Sequence, residues 1–299
     1  MTSTVSSDRA LRRPVTAVAG EQGGLAHALG RFALYAALVF FTVLFLGPFA
    51  WLISNSLKDA AHAFDANWIP KPVEWANYVR VFQEVPLLLM ARNSVIVSIL
   101  GVAAVVVSSS MIAFGLARLR FPGSRLVFLA VLGTMMLPGA VTMVPVYLVW
   151  KRLGLVNTLF PLWLGNLFGS SFYIFMLRQF FLGIPKDLIE AARVDGASYY
   201  RIYWQVMLPL VRPALLTVAI FEFQAKWNDF MGPLIYIQNP DLMTLPLGLQ
   251  IFVQHMGYGQ FRWELLFAAS VLVTLPMIIL FFLAQKQFIQ GIATTGLKG

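Results

Sequence analysis

Residues Val95–Ala117 read VIVSILGVAAVVVSSSMIAFGLA, 23 positions without an Asp, Glu, Lys, Arg or His. A hydrocarbon core of about 30 Å takes about 20 apolar residues in helix. Lipid offers the backbone no water to bond with, so such a run is a helix that satisfies its own N–H and C=O groups. Five further stretches flank it: Phe32–Ile53, Leu126–Trp150, Thr158–Leu177, Pro213–Ile237 and Leu265–Ala284. Only the fifth span, Pro213–Ile237, contains ionisable side chains. The fold class that follows is all-α: a polytopic membrane protein with six transmembrane helices.

Composition agrees. Hydrophobic residues make up 59% of the 299 and charged residues 12%, against about 45–50% and about 25% in soluble domains. That is too little charge for a water-facing surface. The net charge of +9 is not a nucleic-acid footprint, because the basic residues are spread over short loops instead of gathered in one patch with aromatics. No cysteine is present, which excludes a disulfide framework or thiolate metal site. His27, His62 and His255 share no ligand spacing, so no metal site is expected. No catalytic constellation is expected either.

Residues 1–30 are polar, small and Arg-bearing with no apolar period, and are expected to be a disordered cytoplasmic tail. The first span is too long for a signal-peptide core and reads as a retained anchor. With the N-terminus inside, fourteen basic residues fall in inside segments and seven in outside loops, with Lys226 within a span. That bias places both termini in the cytoplasm and the longer loops, about 54–94 and 238–264, outside. In the first of these, Trp68-Ile69-Pro70-Lys71-Pro72 and Trp75 fit an interfacial aromatic belt or a docking surface for a soluble partner. Gly165 and Gly169 have the spacing of a helix-packing pair. Pro138 and Pro145 should kink the third span.

The largest inside loop, about 183–209, has its own structure. Pro185 suits a first helical turn, and Asp187 with Glu190 complements the dipole there. Gly196 suits a left-handed C-terminal cap. Ser198 can cap a second short helix, on which Tyr199, Ile202, Tyr203 and Val206 recur at helical spacing. Pro209 marks the boundary with span five. The product is a helix–turn–helix knob.

This segment resembles the signature loop of binding-protein-dependent ABC importer permeases: Glu-Ala-Ala, three residues, Gly, nine residues, then Ile-x-Leu-Pro. Here it is Glu190-Ala191-Ala192, Gly196 and Val206-Met207-Leu208-Pro209, with Val206 the one departure. Asn93-Ser94, Phe121-Pro122-Gly123, Leu137-Pro138-Gly139, Leu177-Arg178-Gln179, Trp227-Asn228-Asp229-Phe230, Thr244-Leu245-Pro246 and Gly296-Leu297-Lys298-Gly299 are similar to the carbohydrate-uptake subfamily, the maltose- and glycerol-phosphate-type permeases. The resemblance implies the six-span partner of a heterodimer in the bacterial inner membrane, with residues 31–299 as its transmembrane domain. It implies three partners: a second permease, an ATPase dimer, and a soluble or lipid-anchored solute-binding protein. It also implies that Glu190, Ala191, Ala192, Gly196, Leu208 and Pro209 couple to the ATPase, which binds the ATP and Mg. This chain has no Gly-x4-Gly-Lys-Ser/Thr phosphate cradle, and no cofactor or enzymatic activity of its own is expected.

Ionisable groups inside a span are costly and are functional candidates. At about 100° per residue, Glu222, Lys226 and Asp229 share one face as a ladder of alternating sign. Gln224, Trp227, Asn228 and Met231 point the other way. Either the ladder locks span five to its neighbours, or a polar seam of Glu222, Gln224, Lys226, Trp227, Asn228 and Asp229 touches sugar hydroxyls. Trp227 and Asn228 are its foremost candidates. A rival reading is a secondary transporter driven by an ion gradient, with the ladder as a proton relay; an autonomous transporter has no use for an ATPase-docking knob.

Overall fold

The computed structural model describes residues 22–255 and 262–296, with side-chain environments for 27–252 and 262–285. The expected tail therefore lies outside the described residues up to position 21, as do Leu297, Lys298 and Gly299 of the closing motif. All regular structure among the described residues is helical. The chain divides into two compact units, with the boundary between Leu52 and Ile53.

The first unit contains most of α1 (Gln22–Ser56). This helix begins before the expected tail ends, so residues 22–30 are helical. No strong breaker separates them from the apolar run, and the helix propagates back from it. Pro48 lies within the helix.

The second unit is built around α3 (Leu87–Arg118), preceded by the short α2 (Ala76–Glu84). The third span is α4 (Ser124–Met135) and α5 (Gly139–Arg152). They meet at 104°, so Pro138 makes a break where a kink is expected, while Pro145 is accommodated within α5. The fourth span departs most from expectation. Its first half is α6 (Phe160–Trp163) and a 3₁₀ turn (Leu164–Phe168), and only then comes α7 (Ser171–Gly183). Gly165 and Gly169 are therefore not a helix-packing pair. Gly169 turns the chain at φ +79°, where an added Cβ would lie 3.0 Å from Ile174.

After α7 come α8 (Asp187–Val194), α9 (Tyr199–Ile202), a π turn (Tyr203–Met207) and α10 (Leu208–Leu210). The fifth span is α11 (Arg212–Trp227), interrupted at 228–230 and resumed as α12 (Met231–Tyr236). Then follow α13 (Leu245–His255) and α14 (Trp263–Gly296). Among the described residues four helices are long and apolar enough to cross a membrane, and the two bent pairs raise the number to six if each pair is one span.

Helix α3 packs on α7 and α11. Its small residues Gly101, Ala104, Ser109, Ser110 and Ala113 let neighbouring backbones approach. One apolar cluster joins Val105 and Phe114 of α3 to Ile174, Leu177 and Phe181 of α7 and to Ala214 and Val218 of α11. A second joins α2, Met90, Trp227, Leu245 and the start of α14 through Val81, Leu265 and Ala268. A third gathers Val97, Trp150, Leu162, Tyr236 and Leu247.

Candidate functional site

The segment between α7 and α11 is a helix–turn–helix. Asp187 and Glu190 occupy the first turn of α8; Pro185 stands just ahead of it, outside the helix. Gly196 closes α8 in the left-handed region at φ +77°. The amide of Ala197 donates to the Ala192 carbonyl at 2.9 Å and that of Gly196 to the Arg193 carbonyl at 3.0 Å. This is the paired hydrogen bonding of a Schellman cap. Ser198 caps α9, its Oγ accepting from the Arg201 amide at 3.3 Å. The expected face of Tyr199, Ile202, Tyr203 and Val206 is largely present and runs on into a π turn. Of that face, Ile202 and Tyr203 are buried and Val206 packs against the same cluster, Tyr199 is exposed, and the wider turn brings Met207 into the core as well.

The segment is anchored from below. Ile189, Ile202, Tyr203 and Met207 join the cluster containing Phe114 and Phe181. The Tyr203 hydroxyl is 2.7 Å from Ser110 Oγ on α3. The Arg118 guanidinium donates to the Phe181 and Ile184 carbonyls, and Arg178 Nε to the Leu116 carbonyl at 3.3 Å. In the sequence Arg118 counts only as a topology signal and Arg178 also as part of the Leu177-Arg178-Gln179 motif, yet both join α3 to the base of the knob. Above that base Glu190, Ala191 and Gly196 are exposed, with Ala192 half-buried. Leu208 is half-buried in the same cluster. Pro209 lies within α10, just before the chain bends by 79° into α11.

Helix α11 presents three faces. Ala214, Val218, Glu222 and Lys226, at four-residue spacing, turn toward α3 and the fourth span. Glu222 Oε1 accepts from Asn166 Nδ2 at 2.6 Å, and the same amide nitrogen is 3.0 Å from the Gly101 carbonyl. The Tyr173 side chain also lies close to Glu222. Lys226 Nζ donates to the Leu162 carbonyl at 2.7 Å and stands 3.8 Å from Glu222 Oε1. Asp229 leaves the expected ladder: it sits in the break, where its Oδ1 accepts from the Gly232 amide at 3.0 Å and opens α12. Interruption of the helix after Trp227 removes the i,i+3 relation to Lys226.

The second face meets α14. Trp227 is 3% exposed, stacks on Phe223 at 5.5 Å and donates its indole N–H to the Val273 carbonyl at 3.2 Å. Trp227 therefore does not share the open face of Asn228, because it lies on the same row as Phe223 and follows that row into α14. The third face is an exposed stripe of Phe221, Gln224, Ala225 and Asn228. The Asn228 amide nitrogen reaches the Gln224 carbonyl at 2.8 Å.

The irregular fourth span exposes backbone groups that a continuous helix would satisfy, and polar side chains of its neighbours meet them. Besides Lys226 on Leu162, Ser108 Oγ donates to the Asn166 carbonyl at 2.8 Å and Ser109 Oγ accepts from the Ser170 amide at 3.0 Å. Asn166, Tyr173, Ser108 and Ser109 escape the sequence reading. A polar residue inside an apolar run is the signal that could have found Asn166. Asn93 donates to the Asp241 and Met243 carbonyls at 2.8 and 3.0 Å, and Ser94 Oγ accepts from the Leu245 amide at 2.8 Å. Both hold the connection from α12 to α13, which carries a 3₁₀ turn at Pro240–Leu242.

Residues 23–294 match the family described as the binding-protein-dependent transport system inner membrane component. An arabinooligosaccharides transport system permease protein of Halalkalibacterium halodurans is 36% identical over 77% of this chain and 81% of its own length. A diacetylchitobiose uptake system permease protein of Streptomyces coelicolor is 31% identical over 85% of this chain and 84% of its own. Among solved structures, a bacterial ABC transporter involved in the import of the acidic polysaccharide alginate matches in fold, with a TM-score of 0.79 and 22% identity over 87% of this chain and 97% of that one.

Proposed function

Because the chain belongs to the family of binding-protein-dependent transport system inner membrane components, we propose that it is the permease subunit of an ATP-driven importer whose solute is a sugar of oligosaccharide type. The chain supplies membrane helices, and a separate ATPase subunit hydrolyses ATP. A second permease and a solute-binding protein complete the assembly. ATP and Mg bind the ATPase, and the helix–turn–helix at 183–209 is the contact through which its closure reaches this chain. Both termini are cytoplasmic, residues 31–299 form the transmembrane domain, and its first helix extends back to Gln22, with the residues before it a tail.

The observation that carries the coupling role is an exposed Glu190-Ala191 on a helix whose other face, Ile189, is seated in the same cluster as α3 and α7. A push on that helix is delivered to the long spans through packed side chains. Glu190 offers a charge to a cleft, Ala191 keeps the contact thin, and Gly196 permits the turn. Relatives named for arabinooligosaccharides and diacetylchitobiose support the solute class. Phe221, Gln224 and Asn228 form the wall of the solute path, and Glu222, Lys226 and Asp229 are the frame behind it. Trp227 fixes the frame to α14.

The test is ATP-driven sugar uptake by the complete complex in vesicles, with ATPase activity followed in parallel. Glu190→Ala is expected to leave the membrane fold intact and to weaken ATPase association or uncouple hydrolysis from uptake. Wild-type coupling in both Glu190→Ala and Gly196→Leu rules this role out.

A further inference from the structure

We infer that the solute is an uncharged glycoside rather than a phosphorylated or acidic one; the inference rests on the proposed placement of Phe221, Gln224 and Asn228 on the path. The starting point is a scarcity. Across the six apolar stretches read from the sequence, Lys226 is the one basic residue, and none holds a histidine. A carboxylate or phosphate crossing this chain's side of the path would have a single side-chain cation to meet.

That cation is committed elsewhere. Lys226 Nζ donates to the Leu162 carbonyl at 2.7 Å and faces Glu222 at 3.8 Å. Its side chain is 18% exposed. Its stem lies against Gly101, where an added Cβ would stand 3.2 Å from the Lys226 Cε and from the Asn166 amide. Swinging Lys226 toward the stripe would leave both the Leu162 carbonyl and the Glu222 carboxylate without it, in surroundings where unpaired polar groups are expensive. The two nearby acids, Glu222 and Asp229, would repel an anion.

What the stripe does offer is neutral. Gln224 and Asn228 carry amides, which both donate and accept, and Phe221 carries a ring face. Hydroxyls and the C–H faces of a sugar ring need nothing more. An anion stripped of water needs a compensating charge. The fold match to an importer of an acidic polysaccharide does not bear on this, since charge selectivity lies in side chains and not in helix order.

The experiment uses the complete complex in vesicles: both permeases, the ATPase and the binding protein. Radiolabelled maltotriose, arabinotriose and diacetylchitobiose are the neutral probes; trigalacturonate and glycerol 3-phosphate are the anionic ones. At least one neutral probe is expected to be carried, with anionic probes below about a tenth of its rate, the equivalent of a single tenfold discrimination. An anionic probe carried as fast as the best neutral one overturns the inference and leaves the importer standing. Absence of ATP-driven uptake for every probe overturns the importer reading itself, and the inference with it. Asn228→Lys, which puts a free cation on the stripe, is expected to cut neutral uptake about fivefold or more, the scale of one lost hydrogen bond, with assembly unchanged. Undiminished neutral uptake in Asn228→Lys also overturns the inference.

Discussion

Glu222, Lys226 and Asn166 show what a charge inside an apolar protein must do to be tolerated. Insertion scales put a charge at the bilayer centre at about 2.5–3.5 kcal/mol, and here each ionised side chain has a partner within 3 Å from a different segment. The ion pair itself, at 3.8 Å, is the looser contact. The charge-assisted hydrogen bonds to Asn166 and Leu162 are the tighter ones, and such bonds are roughly twice as strong as neutral ones. Lys226→Met should therefore destabilise the folded subunit by about 3–5 kcal/mol, because it leaves Glu222 buried and uncompensated. The double variant Glu222→Gln/Lys226→Met should recover most of that loss, since Gln still accepts from Asn166. Thermal unfolding of detergent-purified protein reads both; equal destabilisation in single and double variants would show that the pair is not the cause. That these charges belong to one face was legible in the sequence. Their partners were not, because Asn166 and Leu162 are near α11 only through the break in the fourth span, and nothing in an apolar run reports a 3₁₀ turn.

At the scale of elements, the α8–α9 segment is the part the sequence describes best. Its acidic first turn, glycine cap and serine cap are local chemistry that needs no distant contact. The π turn at Tyr203–Met207 was not legible, because it is stabilised by Ser110 of α3, 93 positions away. Gly196→Leu forces a branched side chain into the left-handed region, at about 1–2 kcal/mol. Since Gly196 is exposed and its Cβ position is open, the expected loss is of the turn and of coupling, with the long spans unaffected. Helical content should stay unchanged by circular dichroism while ATPase-driven uptake falls.

A second element-scale prediction concerns the connection between α1 and α2. Lys58 is buried, with Nζ 2.5 Å from Asp65 Oδ1 and 3.2 Å from the Asp65 carbonyl. Hydrogen bonds from Lys58 and then Asn67 hold the Asp65 carboxyl below its ordinary value. A depressed carboxylate contributes stability that is complete above the unfolded value near 4 and is lost as pH falls through the lower, folded one. Residues 57–75 should thus be protected at neutral pH and open in acid below about pH 4. Asp65→Asn should be less protected at pH 7 and lack the acid step. Hydrogen exchange across the pH range measures this; an identical acid step in Asp65→Asn would assign it to another group.

At the scale of the whole chain, the six apolar stretches gave the helix inventory because lipid permits little else, but three of them are not the continuous helices that length suggests. The third breaks at Pro138 by 104°, the fourth is interrupted by a 3₁₀ turn at Leu164–Phe168, and the fifth stops at Trp227. A breaker was visible at Pro138, whereas Gly169 reads in sequence as half of a helix-packing pair. At 228–230 no proline or glycine announces the stop, and Asp229 supplies a cap that reads in sequence as one more rung of a ladder.

Orientation is the remaining whole-molecule property, and it follows from charge instead of packing. Basic residues outnumber two to one on the side that holds 183–209 when the N-terminus is inside, and short basic loops stay in the cytoplasm. Ser198 and Asn239 test this with little disturbance. Both are exposed, and the chain contains no cysteine of its own, so each introduced thiol is the only target. Ser198→Cys sacrifices a cap bond of 3.3 Å, at about 1 kcal/mol; Asn239→Cys sacrifices the turn bond to the Asp241 amide at 3.0 Å. In intact cells a membrane-impermeant maleimide should label Asn239→Cys at once and Ser198→Cys only after the membrane is opened. The reverse order would turn the molecule over and put the α8–α9 segment out of reach of any cytoplasmic ATPase, which removes the coupling role along with the topology. Labelling of both from outside would mean an even number of crossings between them. In the structure only one stretch, the broken α11–α12, lies between these positions. That outcome would therefore require α11 to enter and leave by the same face, against the single, broken crossing proposed for it.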